Sequence, residues 1–484
     1  MILAVQPDPQ LGSVGQIMAV VAELRAEVER LRADNEQLRA ENAELRRRLG
    51  LNSSNSSKPP SSDGLARPRP LPGKGKGSGR RRGKQPGAPG STLELVGDPD
   101  QVVQHRPDRC AGPACGADLS DGREYGRQRR QVVELPVPRP VIIEHQLIAV
   151  ECAGCGQVTV PPVPDGVSGR VQYGTNVKAA AVYARAAQFL PYGRVAALMA
   201  DLLGVGVSVG FVHQVVAEAA RRLGPFVSHL AALLHVQDVL HADETPARVD
   251  GGFKYVHVAC TPALTLFHVG GRTKADVDAG GVLPAFTGTL VRDGYAAYQH
   301  LTDAEHAWCG AHLIRDLRGV HEQDPAGQEW AEVMAGTLLT AKQITEQAIA
   351  AGRTVLTADE VSHIRACYAG AVAYGREQNP PDRDCRLTRA GTLVERFATH
   401  RDMILRFTID LAVPFTNNQA ERDLRPVKLQ QKISATWRTL QGLAGFATLR
   451  SYLSTAAKHG MDTLDVLKQL FTTGPWLPQT ATSS

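Results

Sequence analysis

Three acidic residues stand in settings from which they could act together: Asp243 in VLHADET, Asp293 in GTLVRDGYAAY and Glu421 in VPFTNNQAERDLRPVK. The chemistry that asks for such a set is cleavage and exchange at a phosphodiester. Two divalent cations about 4 Å apart can activate an attacking oxygen and stabilise the leaving one, and acidic side chains must hold them. Mg2+ (or Mn2+) takes a few carboxylate oxygens and leaves its other positions to water and substrate phosphate. Taken singly, each acid means little, because surface Asp and Glu are common and a DGY tripeptide is also a turn. The elements that carry them must therefore be able to bring them together.

Beyond Asp238 the stretches VLHADET, KYVHVACTP, LTLFHVGG and GTLVRDGYAAY read as strands, a small sheet in hairpin succession. Alternate side chains of a strand share a face, so His241, Asp243 and Thr245 point one way and Ala242 and Glu244 the other. Asp243, rather than Glu244, is thus the partner for an acid on a neighbouring strand. Asp293 follows the apolar run from Thr289 to Val291, where Gly294 releases the chain. Asn417 or Asn418 caps a helix with Glu421 in its first turn, where the helix dipole favours an anion. Arg425 shares the face of Glu421, and Pro426 kinks or interrupts that helix.

A chain of 484 residues exceeds what a single core sustains, which predicts roughly two to four domains. Apolar content of 43% with 21% charged residues describes an ordinary soluble protein. The net charge of +5 is unevenly placed: from Arg67 to Lys84 there are eight Lys or Arg and no acid. Residues 17–49 carry heptads, with Leu24, Leu31, Leu38 and Leu45 at one core position and Val21, Val28, Asn35, Asn42 and Leu49 at the other. Buried Asn favours a parallel, in-register dimer, and Glu27, Asp34 and Glu41 would face Arg32, Arg39 and Arg46 of a second copy. A leucine zipper joining a homodimer or higher oligomer is expected here, against the alternative of a lone amphipathic helix packed on its own protein.

Residues 50–95 lack apolar periodicity and read as a disordered basic linker. Its Arg80, Arg81, Arg82 and Lys84 either neutralise DNA phosphates or only solvate a spacer. In the region 100–165, Cys110-x4-Cys115 and Cys152-x2-Cys155, each beside glycines, can offer four thiolates to a structural zinc, with the strands between them outlining a zinc ribbon. Residues 170–230 read as helices in a helix-turn-helix-like pair with Ser208 as an N-cap. Its second helix offers Ser208, His213 and Gln214 toward DNA, or is simply core. Residues 235–430 form the acid-bearing core, interrupted at about 320–400 by a helical insertion, since residues 294–420 separate Asp293 from Glu421. Residues 431–484 form a helical tail that packs behind the Glu421 helix. Arg422, Arg425 and Lys428, with Lys432 and Arg438, suit phosphate contacts, or form a solvated face. The fold class expected is multidomain α+β.

The opening MILAVQPDPQLGS lacks a basic start and apolar run, and the most apolar later stretch, 195–217, is broken by Asp201, Ser208, His213 and three glycines. A cytoplasmic, nucleoid-associated protein is expected. Taken in order, NSSNSSKPPSSDG, the cysteine pairs, LHADETPARV, RDGYAAY, WCGAHLIRDLR and NNQAERDLRP resemble the IS66 family of bacterial insertion-sequence transposases over nearly the whole chain. That resemblance implies an RNase H-like α/β core with a DDE triad of Asp243, Asp293 and Glu421. It also implies cleavage at transposon ends by water, attack of the freed 3′-hydroxyls on target DNA, and small accessory proteins from the same element. The sequence departs from the family at Gln85-Pro86-Gly87-Ala88, where a histidine often closes the motif. Cys309 and His312 match a Cys-x2-His element, read as packing near the site rather than as metal ligands. Two other readings stand: a DNA-binding regulator or domesticated derivative in which the acids are structural, and a nuclease that hydrolyses without joining.

Overall fold

The computed structural model describes residues 26–27, 29–34, 37–38 and 93–479. The described residues between 26 and 38 are helical, and Glu27 pairs with Arg30 at 2.8 Å along one face. Most of the heptads, and all of Arg80, Arg81, Arg82 and Lys84, lie outside the described residues. The chain divides into two units, Pro68–Ile142 and the remainder.

Between residues 93 and 174 regular structure is sparse. A two-stranded hairpin joins β1 (Val150–Glu151) to β2 (Val158–Thr159). The strands expected between the cysteine pairs are otherwise absent: residues 123–149 are assigned to no strand. Pro136, Pro138 and Pro140 remove the N–H donors a ladder needs, and Val132, Val133, Val137, Val141 and Ile142 are all exposed.

From residue 175 four α-helices lead into the sheet: α1 (Thr175–Val182), α2 (Tyr192–Leu203), α3 (Val209–Arg222) and α4 (Gly224–His235). Gly204 ends α2 in the left-handed conformation, and Ser208 caps α3 by accepting the Phe211 N–H. Three strands then run antiparallel: β3 (Val239–Val249), β4 (Gly252–Cys260) and β5 (Thr265–Gly270). The β3–β4 turn is the two-residue Asp250-Gly251, both at positive φ as a tight hairpin requires.

The fourth strand does not continue the hairpin succession. After α5 (Lys274–Asp278) the chain crosses to the other side of β3, where β6 (Thr289–Arg292) runs parallel to it and β7 (Glu305–Trp308) parallel to β6. The order is β5-β4-β3-β6-β7. Residues 271–288 make a crossover rather than a tight turn, and a crossover is what parallel pairing demands. Strand β7, only four residues long, carries too little alternation to be read from sequence.

Helices then follow: α6 (Gly310–His321), α7 (Glu329–Ala350), α8 (Ala358–Gln378), α9 (Arg389–Thr399), α10 (Arg401–Ile404), α11 (Arg406–Ile409), α12 (Asn418–Ser434), α13 (Leu440–Lys458) and α14 (Thr463–Thr472). The protein is mixed α/β with a helix-rich C-terminal half. Leu240, Ala242 and Leu290 face a core shared with α1–α4, α13 and α14, whereas Val291 and Ala307 face a second core shared with α6–α9. The exposed edge of β5 is covered by α13: the Thr455 and Ser451 hydroxyls accept the N–H groups of Thr265 and Phe267, at 3.1 and 2.9 Å. An edge so satisfied cannot recruit a further strand. Pro426 does not interrupt α12, which runs unbroken through it to Ser434. Among the described residues no helix is long and apolar enough to cross a membrane.

Candidate active site

Strand register brings the two aspartates together. The parallel ladder pairs Leu240 with Leu290 and His241 with Val291. Two residues beyond that last pair stand Asp243, still within β3, and Asp293, just past the end of β6, close enough that the Asp293 charge acts on Asp243. Asp243 Oδ1 accepts the Glu244 N–H at 2.8 Å, and Asp293 Oδ1 accepts the Tyr295 N–H at 2.9 Å. Burial, then the Asp293 carboxylate and then Glu244, push the Asp243 carboxyl up to about 7.

Beneath Asp293 lies a residue that sequence reasoning passed over. Arg292 is fully buried in β6. Its Nε donates to His306 Nδ1 at 2.8 Å, and its Nη1 donates to the backbone oxygens of Asp293 (2.8 Å) and Tyr295 (3.3 Å). The guanidinium thus props the backbone that carries Asp293. Burial pulls Arg292 down to about 10, and burial followed by the Arg292 charge pulls His306 down to about 4. The signal was an arginine inside an apolar strand, a residue almost never buried unless partnered.

Glu421 occupies the first turn of α12. Asn417 is the N-cap residue, but its side chain makes no capping bond. Instead its Oδ1 pairs with His241 Nδ1 at 2.9 Å and its Nδ2 donates to Ala242 O at 2.8 Å. This amide clamps the start of the Glu421 helix to the strand of Asp243. The Asn417 N–H donates to Cys309 Sγ at 3.2 Å, and the Gly310 N–H to Phe415 O at 2.8 Å. A Cβ at residue 310 would lie 2.2 Å from the Phe415 ring, so only glycine permits this approach.

His312, in the first turn of α6, lies beside the acids. Its Nδ1 is buried without a hydrogen-bond partner, 3.9 Å from Glu421 Oε1. The Cys309 sulfur, opposed by burial and reinforced by Glu421, pushes the imidazole up to about 9, and its charge acts on Asp243 as well. Among the described residues no three His, Cys, Asp or Glu side chains converge to hold one ion. The Asp243 and Asp293 pair nonetheless has the hard oxygen donors that Mg2+ requires. Their mutual repulsion is what a divalent cation would relieve.

The exposed side of α12 carries Arg422, Arg425 and Lys428. In the α2–α3 pair Gln214 is exposed, while the His213 ring stacks on Tyr192 at 3.5 Å. Each cysteine pair forms its own turn. Cys110 Sγ accepts the Gly112 N–H at 3.4 Å, and the Gly154 and Cys155 N–H groups, with the Cys155 side chain, lower the Cys152 thiol. Backbone donors of this kind favour thiolates, the form that binds zinc.

Comparison with known proteins places these features. Residues 6–94 match a family of unknown function, DUF6444. The uncharacterized protein y4qI of Sinorhizobium fredii (strain NBRC 101917 / NGR234) is 24% identical over 200 residues, covering 39% of this chain and 36% of the relative. The chain therefore spans little more than a third of that relative's length. Residues 170–444, more than half of the chain and all of the sheet, α12 and the three acids, match the family described as Transposase IS66 family. The chain belongs to the IS66 transposase family.

Proposed function

We propose that this chain is the transposase of an insertion sequence, binding the ends of the element, cleaving them and joining them to target DNA. The observation that carries the reading is the parallel pairing of β3 with β6, which leaves Asp243 and Asp293 each two residues beyond its last pair, with the helix of Glu421 clamped to β3 by Asn417. An RNase H-like core is supported by a sheet of three antiparallel strands extended by two parallel ones.

Asp243, Asp293 and Glu421 would hold Mg2+ (or Mn2+), which when bound activates the attacking oxygen and steadies the leaving one. Asp293 is kept in place by the Tyr295 N–H and by Arg292 beneath its backbone. His312 supplies a positive charge beside Asp243 and Glu421. Arg422, Arg425 and Lys428 contact backbone phosphates, which position DNA without reading its sequence. In the first step water attacks an end phosphodiester and frees a 3′-hydroxyl; in the second that hydroxyl attacks a target phosphodiester and displaces a new 3′-hydroxyl.

The test is cleavage of DNA carrying the ends that flank the gene, in Mg2+ or Mn2+, with product analysis for joined strands. Asp243→Asn and Glu421→Gln are expected to abolish cleavage; full cleavage by either variant sinks the catalytic assignment. Products cut but never joined would favour the nuclease reading. The same preparation tests two subsidiary proposals. Structural zinc at the cysteine turns predicts bound zinc that falls on Cys152→Ser, and a zipper over 17–49 predicts a dimer mass for the full chain. Zinc-free protein, or a monomer, removes each in turn.

A further inference from the structure

Glu244 is excluded from the acidic face by strand alternation, yet its side chain is only 4% exposed. A carboxylate buried so deeply needs partners, and both of its oxygens have them. Oε1 accepts Arg272 Nε and Nη2 at 3.1 and 3.0 Å, and Oε2 accepts the Tyr298 hydroxyl at 2.8 Å. Both oxygens are thus engaged by neighbouring side chains.

What these partners hold is the segment that follows Asp293. Tyr298 closes the short helical turn Ala296–Tyr298 and is almost wholly buried. The Arg272 guanidinium lies 4.1 Å from the centre of the Tyr295 ring, and the Tyr295 hydroxyl donates back to Arg272 O at 2.5 Å. The Tyr295 N–H is the group that donates to Asp293 Oδ1. Two routes therefore run from Glu244 to the Asp293 carboxylate, one through Tyr298 and the backbone of the turn, the other through Arg272 and the Tyr295 ring. Both begin on β3, beside Asp243.

We infer that Glu244 is a positioning residue: by gripping Tyr298 and Arg272 from β3 it fixes the turn whose Tyr295 N–H orients Asp293 toward Asp243. The inference rests on the reading of Asp293 as a metal ligand. Its role differs from that of Arg292, which supports the Asp293 backbone from the strand. Glu244 sets the turn and hence the direction of the carboxylate. Partners one step removed from a metal commonly cost about 10–100-fold in affinity or activity when lost.

The test uses the full chain with Glu244→Gln and Tyr298→Phe. Mn2+ affinity is read by calorimetry without DNA, and the Mg2+ concentration for half-maximal end cleavage with DNA. Mn2+ binding is expected to weaken by about tenfold or more in Glu244→Gln and by a few-fold in Tyr298→Phe, with KM for DNA little changed. Ion affinity and Mg2+ requirement within about twofold of the parent in both variants would overturn the inference. Losses that merely track the melting temperature would overturn it too. Should Glu244→Gln fail to fold, Tyr298→Phe decides alone. Asp293→Asn is run alongside. Full cleavage there removes the reading beneath the inference, whereas an inactive Asp293→Asn beside unaltered Glu244→Gln and Tyr298→Phe removes only the positioning role.

Discussion

The aspartates and the glutamate are held by different kinds of structure. Asp243 and Asp293 take their places from a parallel backbone ladder between β3 and β6, continued by β7. Glu421 stands on a helix attached by side chains: Asn417 to His241 and Ala242, Cys309 to the Asn417 N–H, and the close approach of Gly310 to Phe415. A ladder survives the loss of any one side chain, because its bonds are made by backbone. A clamp built on one amide does not. The backbone positions of two of the three acids are thus set by the ladder, though the direction of the Asp293 carboxylate still depends on the turn after it, and the third acid can be detached by a single substitution.

Among substitutions that leave the three acids themselves in place, a large effect is expected from breaking that clamp. Asn417→Ala leaves the His241 ring and the Ala242 carbonyl buried without partners, at about 1–3 kcal/mol for each group. Cleavage should fall by about tenfold or more in protein that still folds, because Glu421 loses its anchor to β3. Circular dichroism and a cleavage rate measured together check this; a folded variant with the parent rate would show that the clamp does not position Glu421.

A smaller effect probes the ladder side, whose weak point is His306. The fold holds this imidazole near pKa 4 against an ordinary 6.5, through burial and the neighbouring Arg292 charge. The folded state therefore keeps it neutral. Its contribution to stability is complete above pH 6.5 and is lost as pH falls toward 4, by on the order of 3 kcal/mol. Thermal melts at pH 7 and pH 5 should show the decline. His306→Asn, whose Oδ1 can still accept from Arg292, should flatten it. An unchanged slope in that variant would assign the acid sensitivity elsewhere.

Much of this site was legible in the sequence because its signals are local. Alternation along VLHADET separated Asp243 from Glu244, and the structure agrees: Glu244 turns to Arg272 and Tyr298 on the opposite face. Ser208 was readable as a cap because an N-cap needs only its own next turn. What was not legible depends on contacts distant in the chain. The crossover that sets β6 beside β3 looked like another hairpin, since strand alternation does not encode the order of strands. Asn417 looked like a helix cap, and nothing near it announces that its partners are His241 and Ala242. Arg292 could be read as an apolar strand's last residue, not as the support for Asp293. Pro426 was expected to kink or interrupt α12; the helix is not interrupted, and packing of Ala420, Leu424 and Val427 into the core holds it together around the proline.

The central claim is that Asp293 binds a catalytic ion beside Asp243, and exchanging the ion tests it most directly. Asp293→Cys replaces a hard oxygen donor with sulfur, which Mg2+ accepts poorly and Mn2+ accepts better. End cleavage by this variant should fall by about a thousandfold or more in Mg2+ and recover substantially in Mn2+, while Mn2+ gives the parent protein no comparable gain. Undiminished cleavage in Mg2+, or a loss that Mn2+ leaves untouched, would contradict the account.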